Sequence, residues 1–428
     1  MLATELSRVL GAEEAMFTEL ARRTCGGTLV ISFIKVLTPL SVEKLISGFA
    51  SAHKIYPLLQ ARVESGNKLR WRCDVPFESI PIEVRKLKEP LDFEAEFNRR
   101  GKTGLDVEKC TYTLSFYINS NDEAEWISLV SSHAALDGRS VMTLFCILDI
   151  FFKDEGTFRL GGQPLYEAVE SYFSSSKYFA HEKPSPQKDE LFNWPVEEPA
   201  FAAEREGHAI YRQFPIAEIS QLVKIGKTHK VRPSALFCAI AIQASKILPN
   251  HKDWIKILLP VDVRELCGTE IGLSAVGAFS SATTLEIMPN IDIEDTWQLA
   301  RHLQIELDKQ AEEGEPFKFM FPKKYKLEDI IEWAQDYEEK KSVFSEGMCI
   351  SNVGSMKALG TAMKHFEIIT AIPFQTHGAH PISLLTYSTV RNSVFIFSYC
   401  DPLTKRDSVL NFAEKFINTI KRLLEPEN

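Results

Sequence analysis

The segment from Glu125 to Lys153 constrains this chain more than any other. A strand rich in apolar residues, read over Glu125–Ser131, stops at Ser132-His133. Two alanines and Leu136 follow, then Asp137, Gly138 and a buried apolar helix read over Gly138–Lys153. A His at a strand end is held by the sheet while its ring can face a cleft. Imidazole takes a proton near neutral pH, so this is a suitable seat for a general base. Gly138 is expected to permit the sharp change of direction. Asp137 is expected to orient either His133 or a cation elsewhere. Taken alone, a His beside a strand is more often a hydrogen-bonded structural residue than a catalyst, so the flanking strand and helix matter.

The rest of the chain mixes both element types. An opening amphipathic helix is read over Thr4–Arg23 and a strand over Thr28–Val36. Ser41 is a good N-cap for a helix that ends before Pro57. Further strands are read at 60–63, 69–73 and 111–118. Beyond the middle, strands are read at 211–214, 254–260, 347–351, 382–389 and 393–399. Helices are read at 215–229, 233–247, 293–312, 327–341 and 404–424. Strands and helices do not alternate regularly, which favours an α+β chain with mixed sheets over a doubly wound one.

The 428 residues suffice for two large lobes. From Ser174 to Glu206 the composition shifts to Pro, Ser and charged residues without a sustained period. A first lobe is therefore expected over 1–180, a crossover linker over 181–206 and a second lobe over 207–428.

Lys plus Arg is 49 against 58 Asp plus Glu, a net charge of −9, and the basic runs are short. Nucleic acid is therefore not an expected partner. The longest apolar stretch, Val141–Phe152, is too short to span a membrane and contains Asp149. The first residues lack the basic and apolar regions of a signal peptide, and the last four carry no lipidation box, so a cytoplasmic location is expected. The eight cysteines are widely spaced, with no Cys-x-x-Cys pair, and free, mostly buried thiols are expected. His377 and His380 stand three apart in a loop without a nearby acid or Cys cluster, so no metal site is expected there.

Ser131–Ser140, with its His133-x-x-x-Asp137-Gly138 core, resembles the active-site motif of the CoA-dependent acyltransferase superfamily. That superfamily includes chloramphenicol acetyltransferase, alcohol acetyltransferases and nonribosomal-peptide condensation domains. Three other stretches are similar in order and spacing. Tyr56-Pro57-Leu58-Leu59-Gln60-Ala61-Arg62-Val63 resembles the family's HPLLRARV stretch, with Tyr56 at the usual His. Leu259-Pro260-Val261-Asp262-Val263-Arg264 resembles the PVDLR strand end of the second lobe. Ser351-Asn352-Val353-Gly354 resembles the SNxG turn of alcohol acetyltransferase-like members. Ser132 replaces the first of the two adjacent His of condensation domains, and the late DFGWG motif of the plant branch is missing. The alcohol acetyltransferase or condensation-like branch is thereby favoured.

The resemblance implies two chloramphenicol-acetyltransferase-like lobes with a tunnel at their interface. It implies His133 as the base that removes a proton from an acceptor hydroxyl or amine as it attacks a thioester carbonyl. It also implies an Asp137–Arg264 pair that holds the turn, with no covalent enzyme intermediate. Negative charge builds on the carbonyl oxygen, and one donor there contributes about 2.7–4 kcal/mol. Candidate donors are the backbone N–H groups of Asp137 and Gly138 and the side chain of Asn352, with Ser351 and Gly354 beside it lining the tunnel. No permanently bound cofactor is expected. The co-substrate would be an acyl-CoA or an acyl-phosphopantetheine on a carrier protein, the other partner a small-molecule acceptor, and the working unit a monomer. O-acylation is expected ahead of N-acylation. Two alternatives are a standalone condensation-type enzyme fed by a carrier protein and a catalytically silent binding member of the fold.

Overall fold

A computed structural model describes residues 6–154, 161–173, 195–248, 255–268, 271–272, 274–287, 294–316, 325–341, 344–355 and 363–425. Strands and helices are mixed within each half of the chain, and both main sheets are mixed.

The first main sheet has five strands in the order Phe366–Pro373, Val30–Val36, Ala124–Ser131, Tyr112–Ile118, Ile82–Lys86. The Ile82–Lys86 pairing is parallel and the others are antiparallel. The second has six, in the order Ser280–Ile287, Ile255–Asp262, Met348–Ser355, Ser383–Ser388, Asn392–Asp401, Glu206–Pro215. There Met348–Ser355 runs parallel to both of its neighbours. A small third sheet joins Ser7–Val9, Arg70–Arg72 and Arg62–Glu64.

Several elements differ from the sequence reading. The opening helix begins at Ala12 rather than Thr4, because Ser7–Val9 pairs with Arg70–Arg72. Glu14 reaches back to accept from the Gly11 N–H at 2.8 Å and so satisfies one donor at the new start. The helix Phe93–Thr103 and the strands Ser280–Ile287 and Phe366–Pro373 are additional to the reading. The last of these joins the sheet of the first lobe beside Val30–Val36, so a boundary near residue 206 divides the sequence but not the sheets. Of the expected linker, 181–194 lies outside the described residues. The remainder lies on the second lobe, where Glu197 N–H donates to Leu403 O at 2.9 Å and Ala200 N–H to Lys341 O at 3.0 Å. Trp254 also lies outside them, and that strand is described from Ile255.

Alternation along Asn392–Asp401 explains how the lobes meet. Val394 and Ile396 point into the core of the first lobe, whereas Phe395 and Phe397 point into the core of the second. The six-stranded sheet therefore has a helix-covered face and a face against the other lobe. The helix Pro233–Ser245 covers the former. Every residue of it from Ala235 to Ser245 is buried, as expected for a helix apolar all round.

Phe374, just after the crossing strand, wedges the seam. A Cβ on Gly101 would come within 2.2 Å of its ring, and one on Gly207 within 2.4 Å. Gly101 belongs to the helix Phe93–Thr103 and Gly207 to the strand Glu206–Pro215, so one ring fills a slot between the lobes. Both glycines answer to a close approach.

Candidate active site

The strand Ala124–Ser131 is the central one of five, paired on both sides. Its hydrogen bonding ends where Ser132 N–H donates to Thr111 O at 2.9 Å. Ala135 and Leu136 N–H then both donate to Ser132 O, at 3.0 and 2.9 Å, closing a tight turn. Ala134, Ala135 and Leu136 are fully buried there, which leaves no room for larger side chains at the two alanines. His133 sits at the head of this turn.

The chain then enters the helix Gly138–Lys153 with Asp137 as N-cap. Asp137 has extended backbone angles, and its Oδ1 accepts from Ser140 N–H at 2.7 Å. The expectation for Gly138 is corrected here. Its φ is not positive, and a Cβ would lie 3.5 Å from Ala371 O, an ordinary contact. The reversal is made by the Asp137 cap, not by a glycine conformation.

Arg264 Nη2 donates to Asp137 Oδ1 at 2.9 Å and to Ser140 Oγ at 2.9 Å. The same guanidinium donates through Nε to Ala275 O at 3.1 Å and through Nη1 to Asp262 Oδ1 at 3.1 Å. Phe279 N–H donates to Asp137 Oδ2 at 3.0 Å, and Ser140 Oγ donates to Gly277 O at 2.9 Å. Arg264 is only 1% exposed, so this is a buried ion pair with most of its hydrogen-bonding capacity met. Burial pushes the Asp137 carboxyl up, but Arg264 and the hydrogen bonds from Ser140 and Phe279 outweigh it and hold it below the usual carboxylate range. Burial likewise opposes the Arg264 cation, and Asp137 and Asp262 hold it protonated.

Asp137 thus braces the turn to the second lobe. Its oxygens are engaged by Arg264, Ser140 and Phe279, and no hydrogen bond joins it to His133 among the described residues. His133 instead packs its ring against Phe17 of the opening helix, with centroids 4.1 Å apart and a 36° tilt. His133 Nδ1 is buried without a hydrogen-bond partner among the described residues. Burial lowers the imidazole pKa below its ordinary value, and the nearby Asp137 charge offsets only part of that. The ring is therefore neutral at neutral pH and able to accept a proton.

The other candidates fall elsewhere. Asp137 N–H donates to Gly277 O at 3.3 Å, so it is occupied rather than offered to an oxyanion. Ser351, Asn352 and Gly354 lie on the strand Met348–Ser355. Asn352 Nδ2 donates to Ser234 Oγ at 3.2 Å, and its Oδ1 accepts from Gly354 N–H at 3.1 Å. Its carboxamide is committed to the strand bulge between Asn352 and Gly354, where Gly354 has φ 81°. Among the described residues, no hydrogen bond or ion pair joins these three to His133, Asp137 or Arg264.

His377 and His380 are buried, 5.8 Å apart between ring centroids. His377 Nδ1 accepts from Ala379 N–H at 3.0 Å, and His380 Nδ1 bonds Gly347 O at 2.9 Å. Among the described residues, no cluster of three or more His, Cys, Asp or Glu has the arrangement to hold a metal. No described helix is long and apolar enough to cross a membrane. A cavity of about 530 Å³ opens at the lobe seam between Arg22, Cys25, Lys102 and Arg205, and none of the candidate site residues lines it. Its cations are already engaged, Arg22 by Glu19, Lys102 by Glu206 and Arg205 by backbone carbonyls. The chemistry is therefore sought at His133, not in this cavity.

The sequence reading missed Phe17, Ser140 and the 277–279 backbone as parts of this site. Ser140 carries a faint signal, since it stands three residues after an Asp at a helix start, the spacing of an N-cap bond.

No protein-family model matches the chain, and no curated protein matches it. Solved structures do. The condensation domain of the Monacolin K polyketide synthase superposes with a TM-score of 0.70 at 11% identity, over 98% of each chain. The fold is that of the condensation domains. Polyketide synthase associated protein 5 from Mycobacterium tuberculosis matches with a TM-score of 0.69 at 14% identity, over 98% of both chains. Trichothecene 15-O-acetyltransferase from Fusarium sporotrichioides gives a TM-score of 0.69 at 12% identity, over 98% of this chain and 96% of that one. The likeness thus extends over 98% of the chain, and among the described residues the two lobes carry open sheets with no closed barrel.

Proposed function

We propose that the protein transfers an acyl group from a thioester to the hydroxyl or amine of a small acceptor, with His133 as general base. The observation that carries this reading is the neutral, half-buried His133 ring at the end of a central strand, on a turn braced across the lobes by Asp137 and Arg264. The full-length likeness to an O-acetyltransferase supports acyl transfer, and O-acylation is the product class we propose first. The lobe interface beside His133 would form the tunnel.

In the proposed step, the acceptor oxygen or nitrogen attacks the thioester carbonyl carbon. Its proton passes to His133, whose neutral ring has a free lone pair. The tetrahedral intermediate collapses, the carbon–sulfur bond breaks, and the imidazolium returns the proton to the leaving thiolate. Atoms and charge balance without another reactant. Five of the cysteines offer little as covalent nucleophiles. Burial raises the thiols of Cys73 and Cys110 to about 11, and those of Cys267, Cys349 and Cys400 to about 12. One chain carries both lobes, so a monomer suffices.

The test is acceptor-dependent thiol release. Acyl-CoAs of increasing chain length and acylated carrier proteins are offered with mixed alcohols and amines. Release that needs an acceptor supports the reading, and the preferred donor separates CoA from carrier-protein chemistry. No release from either donor class by folded protein contradicts it and favours a silent binding member.

A further inference from the structure

The opening helix brings a second titratable group to the same turn. Glu13 stands one helical turn before Phe17, on the same face of Ala12–Arg23. Phe17 packs on the His133 ring, and Glu13 is 8% exposed. The Glu13 N–H donates to Glu170 Oε1 at 2.9 Å, and Glu170 is 2% exposed. Each of these carboxyls has an Oε2 that is buried without a hydrogen-bond partner among the described residues. The nearby cations are already taken. Arg8 grips both oxygens of Glu14 at 2.6 Å, and Arg264 is held by Asp137 and Asp262.

Two buried carboxylates without a cation of their own cannot both be ionised at low cost. The helix start sorts them. Glu170 accepts a backbone N–H of the first turn of Ala12–Arg23, a position that favours an anion. Glu13 is therefore the member that keeps a proton. Every charged group facing it points the same way or is spent. Glu170, Glu14 and Asp137 push against its ionisation on top of burial, and the Ser280 hydroxyl pulls back less strongly. Glu170 itself is raised by burial and Glu14, less Arg8 and the Glu13 N–H.

We propose that Glu13 stays protonated at neutral pH beside the buried Glu170 carboxylate, and that this proton keeps the opening helix, with Phe17, seated on His133. Glu13 is thus a positioning residue for the base. Only its effect on catalysis rests on the acyl-transfer reading. The protonation of Glu13 stands independently of it. When Glu13 loses its proton, a second uncompensated charge is buried under the helix and the Phe17 contact loosens.

Three readouts test this on the full chain. Infrared difference spectra of wild type against Glu13→Gln should contain the carbonyl stretch of a protonated carboxylic acid at pH 7. In Glu170→Gln the same band should persist to lower occupancy at high pH, because the neighbouring charge is gone and Glu13 ionises earlier. The melting temperature of wild type should fall relative to Glu13→Gln as pH rises, and the two should converge below the ordinary Glu pKa of about 4.3. The sign follows from a raised acid pKa: the folded state binds the proton more tightly, so stability is lost as pH rises through the interval. The His133 ring NMR signals should shift with the same transition in wild type and not in Glu13→Gln. No acid band at pH 7, or a band that survives Glu13→Gln, overturns the proposal. A band that disappears in Glu13→Gln supports it even if no acyl transfer is found, so failure of the functional reading is seen separately.

Discussion

Arg264 and Asp137 stand 127 residues apart in sequence and 2.9 Å apart in space, and both are buried. Their ion pair joins the second-lobe strand end to the turn that carries His133. Neither residue hydrogen-bonds His133. The bridge holds the turn, and the turn holds His133.

Removing one partner strands a buried charge. Arg264→Gln and Asp137→Asn are each expected to lower stability by about 3–5 kcal/mol. Arg264→Lys should not restore it, because an ammonium cannot reach Ala275 O, Asp262 and Asp137 together as the fork does. Denaturant midpoints measure this. The cost of Asp137→Asn should also shrink in acid. The native carboxyl lies below the usual carboxylate range, so its contribution is complete above about pH 4 and is lost as pH falls through the native pKa. A cost independent of pH would mean that the charge of Asp137 is not what stabilises the turn.

Gly138→Ala is expected to leave stability unchanged or improve it by about 0.5–1 kcal/mol, since the site has ordinary clearance and an ordinary φ at the helix start. Thermal melting decides it. Strong destabilisation would return the reversal to the glycine.

The opposite holds at the lobe seam. Gly101→Ala and Gly207→Ala each drive a methyl into the Phe374 ring and should cost about 1–3 kcal/mol. Phe374→Leu, combined with either, should recover part of the loss. If the combined variants lose the sum of the single effects, the wedge assignment fails.

Catalysis should follow the protonation of His133. Burial lowers its pKa from the ordinary 6.5, so the rate should be flat near neutral pH and fall on an acidic limb centred below 6.5. A limb centred at or above 6.5 would assign the base elsewhere.

The parts of this molecule that local pattern encodes were legible before the structure. The strand into His133, the helix from Gly138 and the all-round apolar Pro233–Ser245 are written in runs of apolar residues. Elements whose stability comes from partners were not. Phe93–Thr103 reads as polar and contains Gly101, and it is fixed by the Asp92 cap and by packing on Glu206–Pro215. Ser280–Ile287 is mostly Ser, Ala and Thr, and eight residues of pairing to Ile255–Asp262 make it a strand. Ser7–Val9 carries no period in three residues and exists through Arg70–Arg72. At the site, His133, Asp137 and Arg264 were reachable through the family resemblance. Phe17, Ser140 and Gly277 were not, because their roles depend on where the opening helix and a distant loop are brought by the fold. The same dependence places Asn352, a candidate oxyanion donor, at a strand bulge bonded to Gly354 and Ser234.

The central claim is that His133 is the base of an acyl transfer. It is tested most directly by acceptor-dependent thiol release from wild type and His133→Ala under identical conditions, with matched melting curves to establish that both are folded. The account predicts a loss of about 10²–10⁴-fold in the variant, the range for a positioned general base. Equal rates in the two folded proteins would contradict it.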